Sequence, residues 1–164
     1  MTLQLLLIRH AKAGKGDVDH ARPLDETGRD QAPRMGAWVA SRGLVPQQVL
    51  CSDAHRTRET LDLMLPFWPE APRVSHLRAL YHASPEALLE QIEKADAESV
   101  ALVGHNPGLA DLAHRLARQA PDHPKWDKFP TCAVAALRFE AAAWGEVWDG
   151  MGEVVAFATP SDLS

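Results

Sequence analysis

Four side chains of this 164-residue sequence are of the types that bind and transfer phosphoryl groups: Arg9, His10, Arg56 and His105. The planar fork of arginine donates two parallel hydrogen bonds to phosphate oxygens and stays charged at any relevant pH. A neutral imidazole can attack phosphorus directly, and the covalent phosphohistidine divides one difficult step into two. Neighbouring guanidinium groups disfavour the imidazolium form and so keep such a nucleophile unprotonated. We therefore predict a phosphoryl-transfer site in which these four residues are catalytic.

The four residues follow short apolar runs that are typical of buried strands. The runs lie at residues 3–8, 48–51 and 100–103. A parallel α/β sheet binds its ligands just outside the carboxyl ends of its strands, so the sequence predicts one shared pocket there. The helix expected after Asn106 and Pro107 adds free backbone N–H groups and the positive end of its dipole.

Strand-like and helix-like segments alternate along the chain. This alternation predicts an α/β fold of three layers, with a mostly parallel central sheet and helices on both of its faces. Two late strands, at residues 131–139 and 153–159, have no long helix between them, which predicts an antiparallel edge. The length suits a single domain that spans residues 1–164. Residues 119–130 are rich in Pro, Asp, His and Lys and predict a surface loop.

Four helices are predicted from the spacing of apolar residues and from serine, threonine and proline at the expected starts. They are expected at about residues 28–42, at about residues 54–65, after Ser84-Pro85 and after Asn106-Pro107. Thr27 is the predicted cap of the first helix, and Pro33 is expected to kink or delay that helix.

The net charge of −5 and the hydrophobic fraction of 46% argue against several classes of protein. A chain this acidic is not expected to bind nucleic acid or an anionic membrane, although a local basic pocket is compatible with it. No apolar stretch approaches the ~20 residues that span a bilayer, and no signal peptide is expected. Cys51 and Cys132 are too few for a disulfide framework, so we expect reduced thiols and a cytoplasmic location. The oligomeric state is left open.

The motifs resemble those of the histidine phosphatase superfamily, the phosphoglycerate mutase-like proteins, and within it the small SixA-type phosphohistidine phosphatases. Arg9-His10 resembles the Arg-His-Gly signature whose histidine accepts the phosphoryl group, with Ala11 here in place of the glycine. Ser52 and Arg56 are similar to the Ser-x-x-x-Arg element whose arginine binds phosphate. The resemblance covers nearly the full length of the chain.

Two further elements carry the same resemblance. Gly104-His105-Asn106 is similar to the element that supplies the second catalytic histidine of the family. The stretch from Arg22 to Gly28 is similar to the Arg-Pro-Leu-x-x-x-Gly stretch of the SixA-type branch.

The predicted phosphate-binding set combines the motif arginines with three neighbouring polar residues. Its members are Arg9, Arg56, Arg22, Ser52 and Asn106. From the residues alone, Arg22 has two interpretations. It lines the mouth of the pocket, or it forms an ion pair within its own loop, with Asp17, Asp19 or Asp25.

The larger phosphatases and mutases of this superfamily supply a glutamate as proton donor from the middle of the chain. Residues 77–84 contain Arg78, Tyr81 and His82 here, but no carboxylate. An alkoxide leaving group needs a proton in the transition state, whereas imidazole is a far better leaving group. We therefore predict a SixA-type phosphohistidine phosphatase in preference to a sugar-phosphate mutase.

The predicted enzyme is a metal-independent phosphatase without a cofactor, acting on a phosphorylated substrate such as a protein that carries phosphohistidine. Arg9 and Arg56 would repel a cation, and no carboxylate lies at ligand spacing to either catalytic histidine. Two alternatives stay open. One is a broad phosphomonoesterase of small metabolites, and the other is a module that binds a phosphorylated ligand without catalysis.

Overall fold

Six strands of the described chain form one sheet, whose spatial order is β3-β2-β4-β1-β5-β6. The computed structural model describes residues 1–163, so the last residue of the expected domain lies outside the described residues. In chain order the strands are β1 (Thr2–Arg9), β2 (Gln48–Ser52), β3 (Arg73–Leu77), β4 (Ser99–Gly104), β5 (Val134–Glu140) and β6 (Glu153–Ala158).

The direction of the strands divides the sheet into two parts. β3, β2, β4 and β1 pair in parallel, whereas β5 pairs antiparallel with both β1 and β6. Antiparallel neighbours need no helical crossover, which fits the short connection between β5 and β6. This mostly parallel sheet with an antiparallel edge confirms the predicted fold class.

Four helices cover the two faces of the sheet: α1 (Glu26–Ser41), α2 (His55–Met64), α3 (Pro85–Glu93) and α4 (Gly108–Leu116). Side chains of α1 and α2 share one apolar core with Leu6 and Ile8 of β1. Leu5 and Leu7 belong to the opposite core, with α3 and α4. Successive side chains of a strand point to opposite faces, so the apolar run of β1 fills both cores. None of the helices within residues 1–163 is long and apolar enough to cross a membrane.

The helix starts agree with the sequence prediction except at α1. Ser84 caps α3, and its hydroxyl accepts a hydrogen bond from Ala87 N–H at 3.1 Å. The prediction that Thr27 caps α1 is wrong, because Asp25 fills that position and accepts from Gly28 N–H at 2.8 Å. The helix also continues through Pro33 without a break. Packing of its apolar face outweighs the hydrogen bond that proline removes.

Two segments differ from the sequence prediction. The apolar pattern predicts no strand at β3, an edge strand whose side chains are exposed or only partly buried. The expected surface loop at residues 119–130 instead buries Trp126 and Phe129, which stack with Phe157 of β6. These aromatic contacts join segments that are far apart in sequence, so the polar composition of the loop does not reveal them.

Candidate active site

Three strand ends meet at one edge of the sheet. β1, β2 and β4 are adjacent and parallel, with His10 following β1, His105 following β4 and Ser52 as the last residue of β2. The ring centroids of His10 and His105 are 5.3 Å apart. The fold therefore brings together the two histidines that the sequence predicts for one pocket.

His10 is held as a neutral imidazole of defined tautomer. Its Nδ1 lies 2.7 Å from the carbonyl oxygen of Ala11. A carbonyl can only accept, so Nδ1 carries the hydrogen and Nε2 carries the lone pair. Burial lowers the pKa of His10 to about 4, and the positive charges of Arg56 and Arg9 act in the same direction. The ring is consequently unprotonated near neutral pH, as a nucleophilic imidazole must be.

His105 is also buried, with 3% of its surface exposed. Its Nε2 lies 2.8 Å from the hydroxyl oxygen of Ser52, and that oxygen accepts from Ala54 N–H at 3.3 Å. Burial lowers the pKa of His105 to about 2, with further contributions from His10 and Arg56. Its Nδ1 is buried and has no hydrogen-bond partner among the described residues.

The two predicted phosphate-binding arginines approach the histidines from different elements. Arg56 lies in the first turn of α2, and 3% of its side chain is exposed. Arg9 ends β1 and donates from Nη1 to the carbonyl of Phe129 at 3.1 Å, while its buried Nε lacks a partner within residues 1–163. Burial and the charge of Arg56 lower the pKa of Arg9. Two cations held close together in this way attract an anion of high charge.

Asn106 joins the start of α4 to the segment that carries Phe129. Its Nδ2 donates to the carbonyl oxygen of Phe129 at 2.9 Å, and its Oδ1 accepts from Ala110 N–H at 3.2 Å. The Phe129 carbonyl thus accepts from both Asn106 and Arg9. Asn106 thus links the segment that carries Phe129 to the start of α4. Phosphate binding by its side chain stays a prediction.

Known proteins resemble this chain over most of its length. A family model of the histidine phosphatase superfamily (branch 1) matches residues 5–75. An uncharacterised protein of Mycobacterium tuberculosis (strain ATCC 25618 / H37Rv) is 33% identical over 162 residues, covering 93% of this chain and 99% of that protein. The chain belongs to the histidine phosphatase superfamily.

Solved structures of two proteins assigned as the phosphohistidine phosphatase SixA share the fold of this histidine phosphatase. The protein from Nakamurella multipartitia has a TM-score of 0.81 at 29% identity, covering 98% of this chain and 97% of its own. The protein from Agrobacterium tumefaciens has a TM-score of 0.77 at 25% identity, with 96% and 98% covered. These similarities confirm the predicted phosphoglycerate mutase-like fold and the phosphatase class of the enzyme.

In this histidine phosphatase, Arg22 forms the loop ion pair that its sequence position allows, and phosphate binding by its side chain stays a prediction. Its Nη1 donates to Asp19 Oδ1 at 3.1 Å, and its Nε donates to the carbonyl of Gly14 at 2.8 Å. Its charge also contributes to the lowered pKa of His10, after burial and the charges of Arg56 and Arg9. Arg22 therefore forms a loop ion pair and acts electrostatically on the site.

The site of this histidine phosphatase contains a carboxylate, that of Asp19, which belongs to none of the sequence motifs. Asp19 Oδ2 accepts from the Tyr81 hydroxyl, from His82 Nε2 at 2.9 Å and from Arg56 Nη2 at 3.2 Å. The hydrogen bonds from Tyr81 and His82 hold the pKa of Asp19 well below its usual range. The one sequence signal for Asp19 is its position three residues before Arg22, since its other partners are brought close only by folding.

Aromatic rings form the rim around this carboxylate. The rings of Tyr81 and His82 lie 5.5 Å and 5.3 Å from the ring of His105, measured between centroids. His20 stacks edge-on against Tyr81 at 4.8 Å, and its Nε2 contacts Asp53 Oδ1 at 2.7 Å. Within residues 1–163, no group of three or more His, Cys, Asp or Glu side chains is placed to hold a metal ion.

Proposed function

We propose that the protein is a SixA-type phosphohistidine phosphatase in which His10 is the nucleophile. The tautomer of His10 carries this proposal, because the hydrogen bond from Nδ1 to the Ala11 carbonyl leaves the Nε2 lone pair free. In the first step this lone pair forms a bond to phosphorus. The bond between phosphorus and the leaving nitrogen breaks, and its electron pair becomes the lone pair of a departing neutral imidazole, whose other ring nitrogen already carries a hydrogen.

Arg9, Arg56 and His105 hold the phosphoryl oxygens during this step. Phosphoryl transfer depends mainly on positioning and on neutralising charge at these oxygens. Ser52 Oγ already accepts from Ala54 N–H, so its own hydrogen can go to His105 Nε2. His105 then carries its hydrogen on Nδ1, a buried donor with no other partner among the described residues. A neutral imidazole N–H of this kind can donate to a phosphoryl oxygen.

Hydrolysis of the intermediate restores the enzyme. Water attacks phosphorus, the bond from phosphorus to His10 Nε2 breaks, and its electron pair becomes the ring lone pair again. Inorganic phosphate leaves. The low pKa of His10, caused first by burial, favours the neutral ring as the leaving group of this step.

The state of Asp19 supports a phosphohistidine substrate over an ester. Its pKa lies well below the usual range because Tyr81 and His82 donate to it, so it carries no proton to give at neutral pH. An alkoxide leaving group would receive no proton from such a carboxylate, whereas imidazole is the better leaving group and depends less on being protonated as it leaves. The similarity to the two SixA proteins supports the same substrate class. We propose a protein-borne phosphohistidine as the substrate and the cytoplasm as the location.

Phosphate release from a phosphohistidine-bearing protein, compared with release from phenyl phosphate, tests this function. We expect the wild-type protein to release phosphate from the protein substrate and His10→Ala to lose the activity. His76→Ala removes an exposed histidine from β3 and serves as the matched control that keeps the activity.

Three outcomes would contradict the proposal. Release from phenyl phosphate alone would favour a phosphomonoesterase of small metabolites. Phosphate binding without any acid-labile phosphoprotein, trapped by rapid acid-free quenching, would favour a binding module. Unchanged activity in His10→Ala would remove His10 from the role of nucleophile.

A further inference from the structure

Asp19 lies where the pocket opens to solvent. It begins a single 3-10 turn, Asp19–Ala21, and 45% of its side chain is exposed. Oδ2 accepts from Tyr81, His82 and Arg56, while the structure of residues 1–163 records one donor to Oδ1, Arg22 Nη1 at 3.1 Å. Oδ1 thus has fewer donors than Oδ2 and is the carboxylate oxygen to which a further N–H group can donate.

The rings of the site run from the interior to this opening. His10 and His105 are both buried, at 8% and 3% exposed, and their tilted rings lie 5.3 Å apart between centroids. The ring of His82 lies 5.3 Å from that of His105, and 51% of its side chain is exposed. Displacement at phosphorus is in line, so the leaving group departs on the side opposite the nucleophile. Because both catalytic histidines are buried and a protein-borne substrate enters from solvent, the leaving group departs towards the opening, where Asp19 and His82 are exposed.

We propose that Asp19 is a specificity-determining residue that selects the leaving group by its charge and hydrogen-bonding character. This inference rests on the function proposed above. Asp19 accepts a hydrogen bond from the N–H of the departing imidazole. The same negative charge repels leaving groups that carry an anion, such as a carboxylate. Repulsion of a wrong partner adds to attraction of the right one in setting specificity.

The location of the charge makes this selection compatible with phosphate binding. Arg56 Nη1 and Nη2 contact the carbonyl and carboxylate oxygens of Asp19 at 2.8 Å and 3.2 Å, which uses two of its five N–H donors. Arg9, whose Nε has no partner within residues 1–163, contributes further positive charge to the site. Cations thus remain available to the phosphoryl oxygens, while Asp19 lies at the exposed side of the site where the leaving group departs.

Three small substrates test the proposal, because they differ only in the leaving group: N-phosphoimidazole, phenyl phosphate and 4-carboxyphenyl phosphate. The measured quantities are the ratios of kcat/KM between substrates, in which general damage to the site cancels. We expect Asp19→Asn to lower the ratio of N-phosphoimidazole to phenyl phosphate by about tenfold, the equivalent of one charge-assisted hydrogen bond. We expect it to raise the ratio of 4-carboxyphenyl phosphate to phenyl phosphate.

Asp17→Asn is the matched control. Asp17 is exposed, lies two residues earlier in the same loop and loses the same formal charge. We expect its substrate ratios to equal those of the wild type. Unchanged ratios in Asp19→Asn would overturn the proposal, and so would equal changes in both variants, because the effect would then come from net charge.

A wild-type measurement covers the case in which Asp19→Asn does not fold. The penalty for 4-carboxyphenyl phosphate relative to phenyl phosphate should shrink as salt screens the exposed carboxylate. No penalty at low ionic strength would overturn the proposal. Failure of the proposed function gives a different result, because the wild type would then not act on a phosphohistidine-bearing protein. Phenyl phosphate and 4-carboxyphenyl phosphate would still show whether Asp19 discriminates between leaving groups by charge.

Discussion

At the scale of single residues, His10 and His105 differ through their hydrogen-bond partners. A backbone carbonyl binds Nδ1 of His10, and a serine hydroxyl binds Nε2 of His105. The carbonyl contact leaves a lone pair on Nε2 of His10, whereas a hydroxyl that donates to Nε2 of His105 leaves the N–H of that ring on Nδ1, as we propose. We infer that Ser52 acts through His105 as a positioning residue, and phosphate binding by its hydroxyl stays a prediction.

Replacing Ser52 with alanine tests this positioning role. The change removes the hydroxyl from His105 Nε2 and from Ala54 N–H, so the tautomer of His105 is no longer set. Unsatisfied buried polar groups cost about 1–3 kcal/mol, and we expect kcat/KM to fall about 10- to 100-fold. Steady-state kinetics across a pH series would check both the loss and an altered pH profile.

Ser75→Ala is the control for that substitution, since Ser75 is exposed on β3. We expect it to keep the wild-type kinetics. An activity of Ser52→Ala equal to that of Ser75→Ala would show that His105 keeps its tautomer without the serine.

At the scale of elements, the start of α1 is fitted closely to the segment that follows β1. A Cβ atom on Gly28 would lie 2.1 Å from the carbonyl oxygen of Lys12. That carbonyl also accepts from Asp25 N–H at 3.0 Å, so helix and segment share a fixed contact. Lys12 is two residues beyond His10, and this contact therefore stabilises the segment that carries His10.

Gly28→Ala should therefore destabilise the protein although alanine is the better helix former. The clash with backbone cannot be relieved by a side-chain rotation, and overpacking of this kind costs about 1–3 kcal/mol. Urea unfolding monitored by tryptophan fluorescence would measure the free energy of unfolding. Gly145→Ala, whose Cβ would meet nothing within 4 Å, should be neutral or slightly stabilising. Equal stabilities of the two variants would contradict the close fit.

At the scale of the whole molecule, an acidic chain holds a basic site. The net charge of the chain is −5. In the site, however, burial is the largest cause of the lowered pKa of His10, and the positive charges of Arg56, Arg9 and Arg22 lower it further. Keeping two histidines neutral in this environment links the stability of the fold to pH.

The sign of that linkage follows from the direction of the shifts. The pKa of His10 falls from 6.5 to about 4 and that of His105 to about 2, so the unfolded chain binds more protons in acid than the native one. Stability should fall as the pH drops below about 6.5, with a slope up to about 1.4 kcal/mol per pH unit for each histidine. The loss from His10 should be complete near pH 4.

Urea unfolding at pH 7, 6 and 5 would measure this slope. His10→Gln should reduce it, whereas His76→Gln, at an exposed position of β3, should not. Staying at pH 5 and above separates the histidines from Asp19, whose lowered pKa affects stability only in stronger acid. Equal slopes in wild type and His10→Gln would contradict the assignment.

Much of the fold and part of the site could be predicted because local patterns specify them. The apolar runs of β1 and β4 and the cap at Ser84 lie where the sequence places them. β3 could not be found in this way, because an edge strand buries little and its residues carry no apolar run. The burial of Trp126 was equally hidden, since its aromatic partner Phe157 is distant in sequence.

By itself, the sequence determined the strand ends on which Arg9, His10 and His105 stand, because hydrophobic burial forces such runs into the sheet interior. Only the tertiary structure decided the tautomer of His10, the orphaned donor on His105 and the place of Asp19. The contacts of His105 and Asp19 join segments that meet only when the chain is folded, and the contact of His10 with the neighbouring Ala11 carbonyl depends on the backbone and side-chain geometry that the fold imposes. Hydrogen bonds require their partners to lie within a few ångströms. The selectivity for the leaving group that we infer therefore arises from how the fold places Asp19 beside its partners and not from a sequence motif.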